Sequence, residues 1–115
     1  MNPKNVREEW MSLWQQLQAQ ADAFHDSQSV AFGLLNAYDQ LSIEERAEVH
    51  PMLAEWLVSN DNRRRYDARF LITERSIREL APSVASAIGR LKDLPGPEAR
   101  DEVELLRQLQ EELTR

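Results

Sequence analysis

The 115 residues are enough for one domain with its own apolar core, and 42% of them are hydrophobic. Cysteine is absent, which excludes disulfides and thiolate metal sites and favours the cytoplasm. The net charge of −6 disfavours general nucleic-acid binding, and the longest apolar run, residues 30–35, is far too short to span a membrane.

The first two helices are predicted from the spacing of apolar residues. A helix beginning at Asn2 or Asn5 carries an apolar stripe at spacings of three and four. The stripe consists of Val6, Trp10, Leu13, Trp14, Leu17, Ala21 and Phe24. Residues 25–27 end this helix, and a second, well-buried helix follows to about Asp39. Gly33 inside it costs about 1 kcal/mol relative to alanine, so we expect a neighbouring helix to approach closely there.

Capping signals predict the third and fourth helices. Ser42, with Glu45 three residues later, forms a capping box at the start of the third. Pro51 lies inside this helix and predicts a kink or a restart. Asp61 is a good cap for a fourth helix over about 62–74.

Prolines delimit the last two helices. Pro82 suits the first turn of a fifth helix, and the linker 94–97 (Leu-Pro-Gly-Pro) separates it from a sixth over about 98–113. The inner face of the sixth helix carries Val103, Leu106, Leu109 and Leu113. The sequence therefore predicts an all-α fold of about six helices.

An internal repeat becomes visible when the sequence is shifted by 31 residues. The match runs without a gap from Leu35 to Leu57. Ala37 then meets Ala68, Pro51 meets Pro82, and similar apolar types coincide between them. A period in the thirties is typical of stacked helical hairpins, each unable to bury its apolar face alone.

The second copy of this repeat resembles the HEAT-like repeat proteins. The residues that carry the resemblance are Asp61-Asn62-Arg63-Arg64-Arg65-Tyr66-Asp67-Ala68, Leu71-Ile72, Leu80-Ala81-Pro82-Ser83-Val84-Ala85, Ile88 and Leu91-Lys92-Asp93. The resemblance covers residues 30–93 and implies about two hairpin units within a single domain, 1–115. Flanking helices in 1–26 and 97–115 would cap them. It implies a scaffold for binding other macromolecules, without catalytic residues.

Sequence patterns for catalysis or metal binding are missing. His25 and His50 stand apart, and neither has a second ligand three or four residues away. The three glycines are isolated and form no phosphate-binding loop. We therefore expect no enzymatic activity, no cofactor and no metal.

Acidic residues of the third helix form the first candidate binding surface. Glu44, Glu48 and Glu55 fall on one face of that helix by their spacing. They are either an ordinary solvated face or an acidic docking surface for a basic partner.

An arginine cluster supplies the second candidate set. Arg63, Arg64 and Arg65 occupy the first turn of the fourth helix, where positive charge opposes the helix macrodipole. In one interpretation they bridge to acids of the preceding hairpin, while Arg63 also lies four residues before Asp67. In the other they join Arg69 in binding an anionic partner.

The sequence favours a non-catalytic protein–protein binding module, cytoplasmic and bacterial, with a basic protein partner. Its small size and acidity suit an immunity or inhibitor protein, or an adaptor. One alternative is a nucleic-acid-associated protein that uses the cluster Arg63–Arg69. Another is a homodimeric structural protein paired through the N-terminal helix. Trp10 and Trp14 of that helix are either core residues or part of an exposed interface.

Overall fold

A computed structural model of the protein describes residues 5–24 and 28–115. Within them the chain forms six α-helices and no β-strand. The bounds are Val6–Phe24 (α1), Gln28–Asp39 (α2), Ile43–Leu57 (α3), Asn62–Arg75 (α4), Ala81–Leu91 (α5) and Pro97–Leu113 (α6). A 3₁₀ turn, Arg78–Leu80, leads into α5. The prediction of an all-α fold with about six helices is confirmed.

Two compact units divide the chain, Met1–Leu53 and Ala54–Arg115, with the boundary inside α3. In the first unit α1 packs against α2. In the second unit α6 packs against both α4 and α5. These helix pairings do not test the predicted single domain over 1–115 or the predicted hairpin repeat over 30–93. Both therefore stay predictions.

Most of the apolar stripe of α1 is buried, with Leu13 and Leu17 half-buried. The helix begins directly after Asn5, while the alternative start at Asn2 and the break at 25–27 lie outside the described residues. Trp10 is fully buried and Trp14 is 5% exposed. Both tryptophans are therefore core residues, and neither is available as an exposed interface anchor.

The expected close approach at Gly33 is present in the first unit. A Cβ atom added to Gly33 would lie 2.8 Å from Cδ2 and 2.9 Å from Cδ1 of Leu17, so α1 packs directly onto the glycine of α2. Gly89, inside α5, has no atom within 4 Å of the corresponding position. The two helical glycines therefore differ in what an added methyl group would meet.

Substituting these glycines separates helix propensity from packing. Gly89→Ala is expected to raise the free energy of unfolding by about 0.5–1 kcal/mol, because alanine costs less backbone entropy in a helix. Gly33→Ala has the same entropic advantage but must displace Leu17, so its gain is expected to be smaller or reversed. Urea denaturation of both variants measures the difference. Equal stabilisation of the two variants would show that Leu17 moves aside at no cost.

The restart predicted at Pro51 is not found, because α3 continues through that residue to Leu57. Proline lacks the N–H that would bond to the carbonyl of Ala47, four residues earlier. Both Pro51 and Ala47 are exposed, so solvent can hydrate the carbonyl that the proline leaves without a partner. The helix therefore tolerates the proline on its solvent side.

Three residues mark helix ends in the second unit, and one of them, Asp61, was predicted as a cap. The Asp61 side chain accepts a hydrogen bond from the Arg63 N–H at the start of α4, which confirms the predicted cap. At the end of α4, Ser76 adopts the left-handed conformation with φ 46°. Gly96, with φ 106°, turns the chain into Pro97, the first residue of α6. The apolar face predicted for α6 is buried.

Candidate functional site

Two of the three predicted acidic residues lie in the first unit. Glu44 and Glu48 are exposed on α3, whereas Glu55, also exposed, belongs to the second unit. Beside Glu44, the side chain of Ile43 is 85% exposed, the most exposed of the large hydrophobic residues in the described part of the chain. The first unit therefore presents carboxylates next to an apolar side chain.

The predicted capping box sets the start of α3. The N–H of Ser42 donates to Oε1 of Glu45 at 2.9 Å, and the N–H of Glu45 donates to Oγ of Ser42 at 3.2 Å. The Ser42 N–H lowers the pKa of Glu45 below its ordinary value. Glu45 is thus buried and used for structure, while Glu44 and Glu48 remain in solvent.

A cluster of side chains around Arg46 was not predicted from the sequence. The Arg46 guanidinium donates to the carbonyl oxygens of Tyr38 at 3.2 Å and Asp39 at 3.1 Å, and it lies 4.9 Å from the centre of the Tyr38 ring. The Tyr38 hydroxyl lies 2.7 Å from Nε2 of His50. The sequence indicates only that His50 lacks a second metal ligand nearby. Its position four residues after Arg46, on the same helix face, was the available signal.

This cluster has an electrostatic consequence for the first unit. Arg46 binds the last carbonyl groups of α2, where a positive charge is favourable. Its guanidinium is therefore committed to the end of α2 and does not extend toward the exposed carboxylates of α3.

The arginine cluster is engaged with acids of the second unit. Nη2 of Arg63 lies 3.3 Å from Oδ2 of Asp61, its own cap. Burial raises the pKa of Asp61, but the hydrogen bonds from Arg63 outweigh it and hold that pKa below its ordinary value. Arg64 is half-buried in the same turn.

Arg65 and Arg69 meet at a single carboxylate, Glu102 of α6. Nε of Arg65 donates to Oε1 of Glu102 at 3.0 Å, and its two terminal nitrogens donate to Ser59 O and Asn62 Oδ1, both at 2.6 Å. Nε of Arg69 lies 2.5 Å from Oε2 of Glu102, with the geometry of an ion pair instead of an aligned hydrogen bond.

The ion triad formed by Arg65, Arg69 and Glu102 differs from one predicted set of ion pairs. In one interpretation Arg63, Arg64 and Arg65 bridge to acids of the preceding hairpin, but the carboxylate that Arg65 contacts, Glu102, lies on α6. Glu102 was not identified from the sequence, although it lies four residues before Leu106 and so falls on the apolar face of α6. A charged residue in phase with an apolar stripe was the signal.

No grouping of three or more histidine, aspartate or glutamate side chains suited to a metal ion occurs among residues 5–24 and 28–115. Within the same residues, none of the helices combines the length and apolarity needed to cross a membrane. Comparison with family models, curated proteins and solved structures found no match.

Proposed function

We propose that the chain is a non-catalytic protein-binding module whose partner is a basic protein. The observation that carries this proposal is the uneven charge of the two units. The first unit has three basic and eight acidic residues, a balance of −5, and the second has eleven and twelve, a balance of −1. Nearly all the net charge thus belongs to fewer than half of the residues.

The contact surface that we propose in the first unit centres on Glu44 and Glu48. Both are exposed, and Arg46, the nearest cation in sequence, is bound to the end of α2. The adjacent Ile43 offers an apolar contact at the edge of the charges. Acidic surfaces of this kind accelerate association with a basic partner and help to exclude acidic ones. We include Glu55 of the second unit among the partner-binding residues.

The wider proposal is a cytoplasmic, bacterial protein of the immunity, inhibitor or adaptor type, with HEAT-like hairpins over residues 30–93. In its support, a polar turn precedes α4 and a proline lies in the first turn of α5. Nucleic-acid binding by the arginine cluster has less support, because Arg65 and Arg69 are held by Glu102 and Arg63 is held by Asp61.

Neutralising the acidic surface is expected to weaken capture of the partner. Immobilised protein should retain a stoichiometric basic protein from native lysate at low salt and release it as the ionic strength approaches about 0.5 M. Glu44→Gln with Glu48→Gln removes two charges without changing side-chain length, and should weaken that binding by about tenfold or more. Capture followed by mass spectrometry, then titration of the purified partner, measures both effects.

A control variant with the same change in charge distinguishes the effect of the surface on α3 from the effect of the net charge on binding. Glu104→Gln with Glu112→Gln alters two exposed acids of α6 and should retain the partner as the unmodified protein does. If both double variants weaken binding equally, only overall charge matters and the surface on α3 is not the site. A complex that resists salt would contradict the basic-partner proposal itself.

A further inference from the structure

Two adjoining hollows form a groove along α5 in the second unit. One, of about 350 Å³, lies between the end of α3 and α5, and the other, of about 440 Å³, lies between the residues after α3 and the α5–α6 connection. Val58 and Arg90 line both hollows, so the hollows meet at these two residues. The 11 residues of α5 span about 16 Å, the length of about five residues of extended chain.

Apolar and small side chains supply part of the lining of this groove. Those with the least exposure are Ala54, Val58, Ala87, Leu91 and Ala99, all buried or half-buried. Exposed polar groups, Asn60 and Ser86 among them, also line it. Small side chains let a peptide backbone approach, and the exposed polar groups can form hydrogen bonds with it, as in other binding clefts.

Charged side chains of both signs line the groove. Glu55 lines only the smaller hollow, Glu98 lines only the larger, and Arg90 lines both. The Arg90 side chain is exposed and has no ion pair or hydrogen bond within the described part of the chain. The guanidinium of Arg65, which also reaches the larger hollow, is already held by Glu102. Arg90 therefore lies where the two hollows meet, and each hollow has one acidic residue in its lining.

We propose that this groove binds a short extended segment of a partner protein in which a central acidic residue is flanked by apolar and then basic residues. The central carboxylate pairs with Arg90, whose guanidinium can form two parallel charge-assisted hydrogen bonds. The basic residues face Glu55 and Glu98, and the apolar side chains contact Val58 and Leu91. The site goes beyond the acidic surface on α3 and requires neither Glu44 nor Glu48.

Two peptides of identical composition test the charge order. The probe is fluorescein-labelled Lys-Leu-Glu-Leu-Lys with blocked ends, and the comparison peptide is Glu-Leu-Lys-Leu-Lys, which has the same net charge. Fluorescence anisotropy should show that the chain binds the probe at least about tenfold more tightly than the comparison peptide. Equal binding of both peptides, or no binding of the probe at millimolar protein, would overturn the proposal.

Variants at Arg90 locate the binding. Arg90→Glu is expected to abolish the preference for the probe, and Arg90→Gln to reduce it. Arg107→Glu makes the same charge change on an exposed residue of α6 outside the groove and should leave the preference intact. Circular dichroism checks that each variant is folded, as expected for substitutions at exposed positions. If the preference survives in Arg90→Glu, the groove is not the site.

A separate variant keeps the two proposals distinguishable. Glu44→Gln with Glu48→Gln leaves the groove unchanged and should bind the probe as the unmodified chain does. Loss of peptide discrimination in that variant would count against the groove. Normal discrimination together with lost partner capture would support both surfaces independently.

Discussion

Glu102→Ala is expected to lower the free energy of unfolding by about 2–4 kcal/mol, because it leaves two largely buried guanidinium groups without their carboxylate. The side chain of Glu102 is 9% exposed, and those of Arg65 and Arg69 are 16% and 19% exposed. Removing one partner of a buried pair costs more than the pair contributes in total, since the remaining charge stays desolvated. Urea denaturation followed by circular dichroism measures the loss.

Two comparison variants separate charge from volume. Glu104→Ala, exposed on the same helix, should change the stability by less than about 0.5 kcal/mol. Glu102→Leu fills the space with an apolar side chain that suits this face of α6, yet it should remain less stable than the unmodified chain, because both arginines still lack a carboxylate. A Glu102→Leu chain as stable as the unmodified one would show that the ion triad contributes no net stability.

The ion triad could not be predicted from the sequence, although the helices that carry it could. Apolar spacing and capping residues act within a few residues of chain, so Ser42, Asp61 and the face of α6 could be identified directly. The partner of Arg65 lies 37 residues further along the chain. From charge spacing alone, the acidic partners predicted for the arginines are residues close in sequence. Glu102 becomes the partner of Arg65 only because α4 packs on α6.

The candidate surfaces were predictable to different degrees. Exposure of Glu44 and Glu48 follows from helical phase, because their positions oppose the buried Val49 and Leu53. The commitment of Arg46 to carbonyl groups of α2 does not follow, since it depends on how the chain turns between two helices. The groove along α5 was not predictable either, because its lining residues are distant in sequence and individually ordinary.

Adjacent leucines of α6 provide the second large effect. Leu106 is fully buried, whereas its neighbour Leu105 is 42% exposed. Leu106→Ala is expected to lower the free energy of unfolding by about 3–5 kcal/mol, because it removes buried methyl groups and leaves a cavity. Leu105→Ala makes the identical chemical change one position away and should cost less than about 1 kcal/mol. Thermal and urea denaturation of the two variants measure the contrast.

This contrast tests the rotation of α6 about its own axis, on which the ion triad also depends. Glu102 and Leu106 are four residues apart, so the rotation that buries Leu106 also directs Glu102 toward Arg65 and Arg69. Similar losses from Leu105→Ala and Leu106→Ala would mean that α6 has no single buried face and would remove the basis for the triad. A large loss for Leu106→Ala alone, together with a large loss for Glu102→Ala, would show that one helix face supplies both apolar packing and charge neutralisation to the second unit.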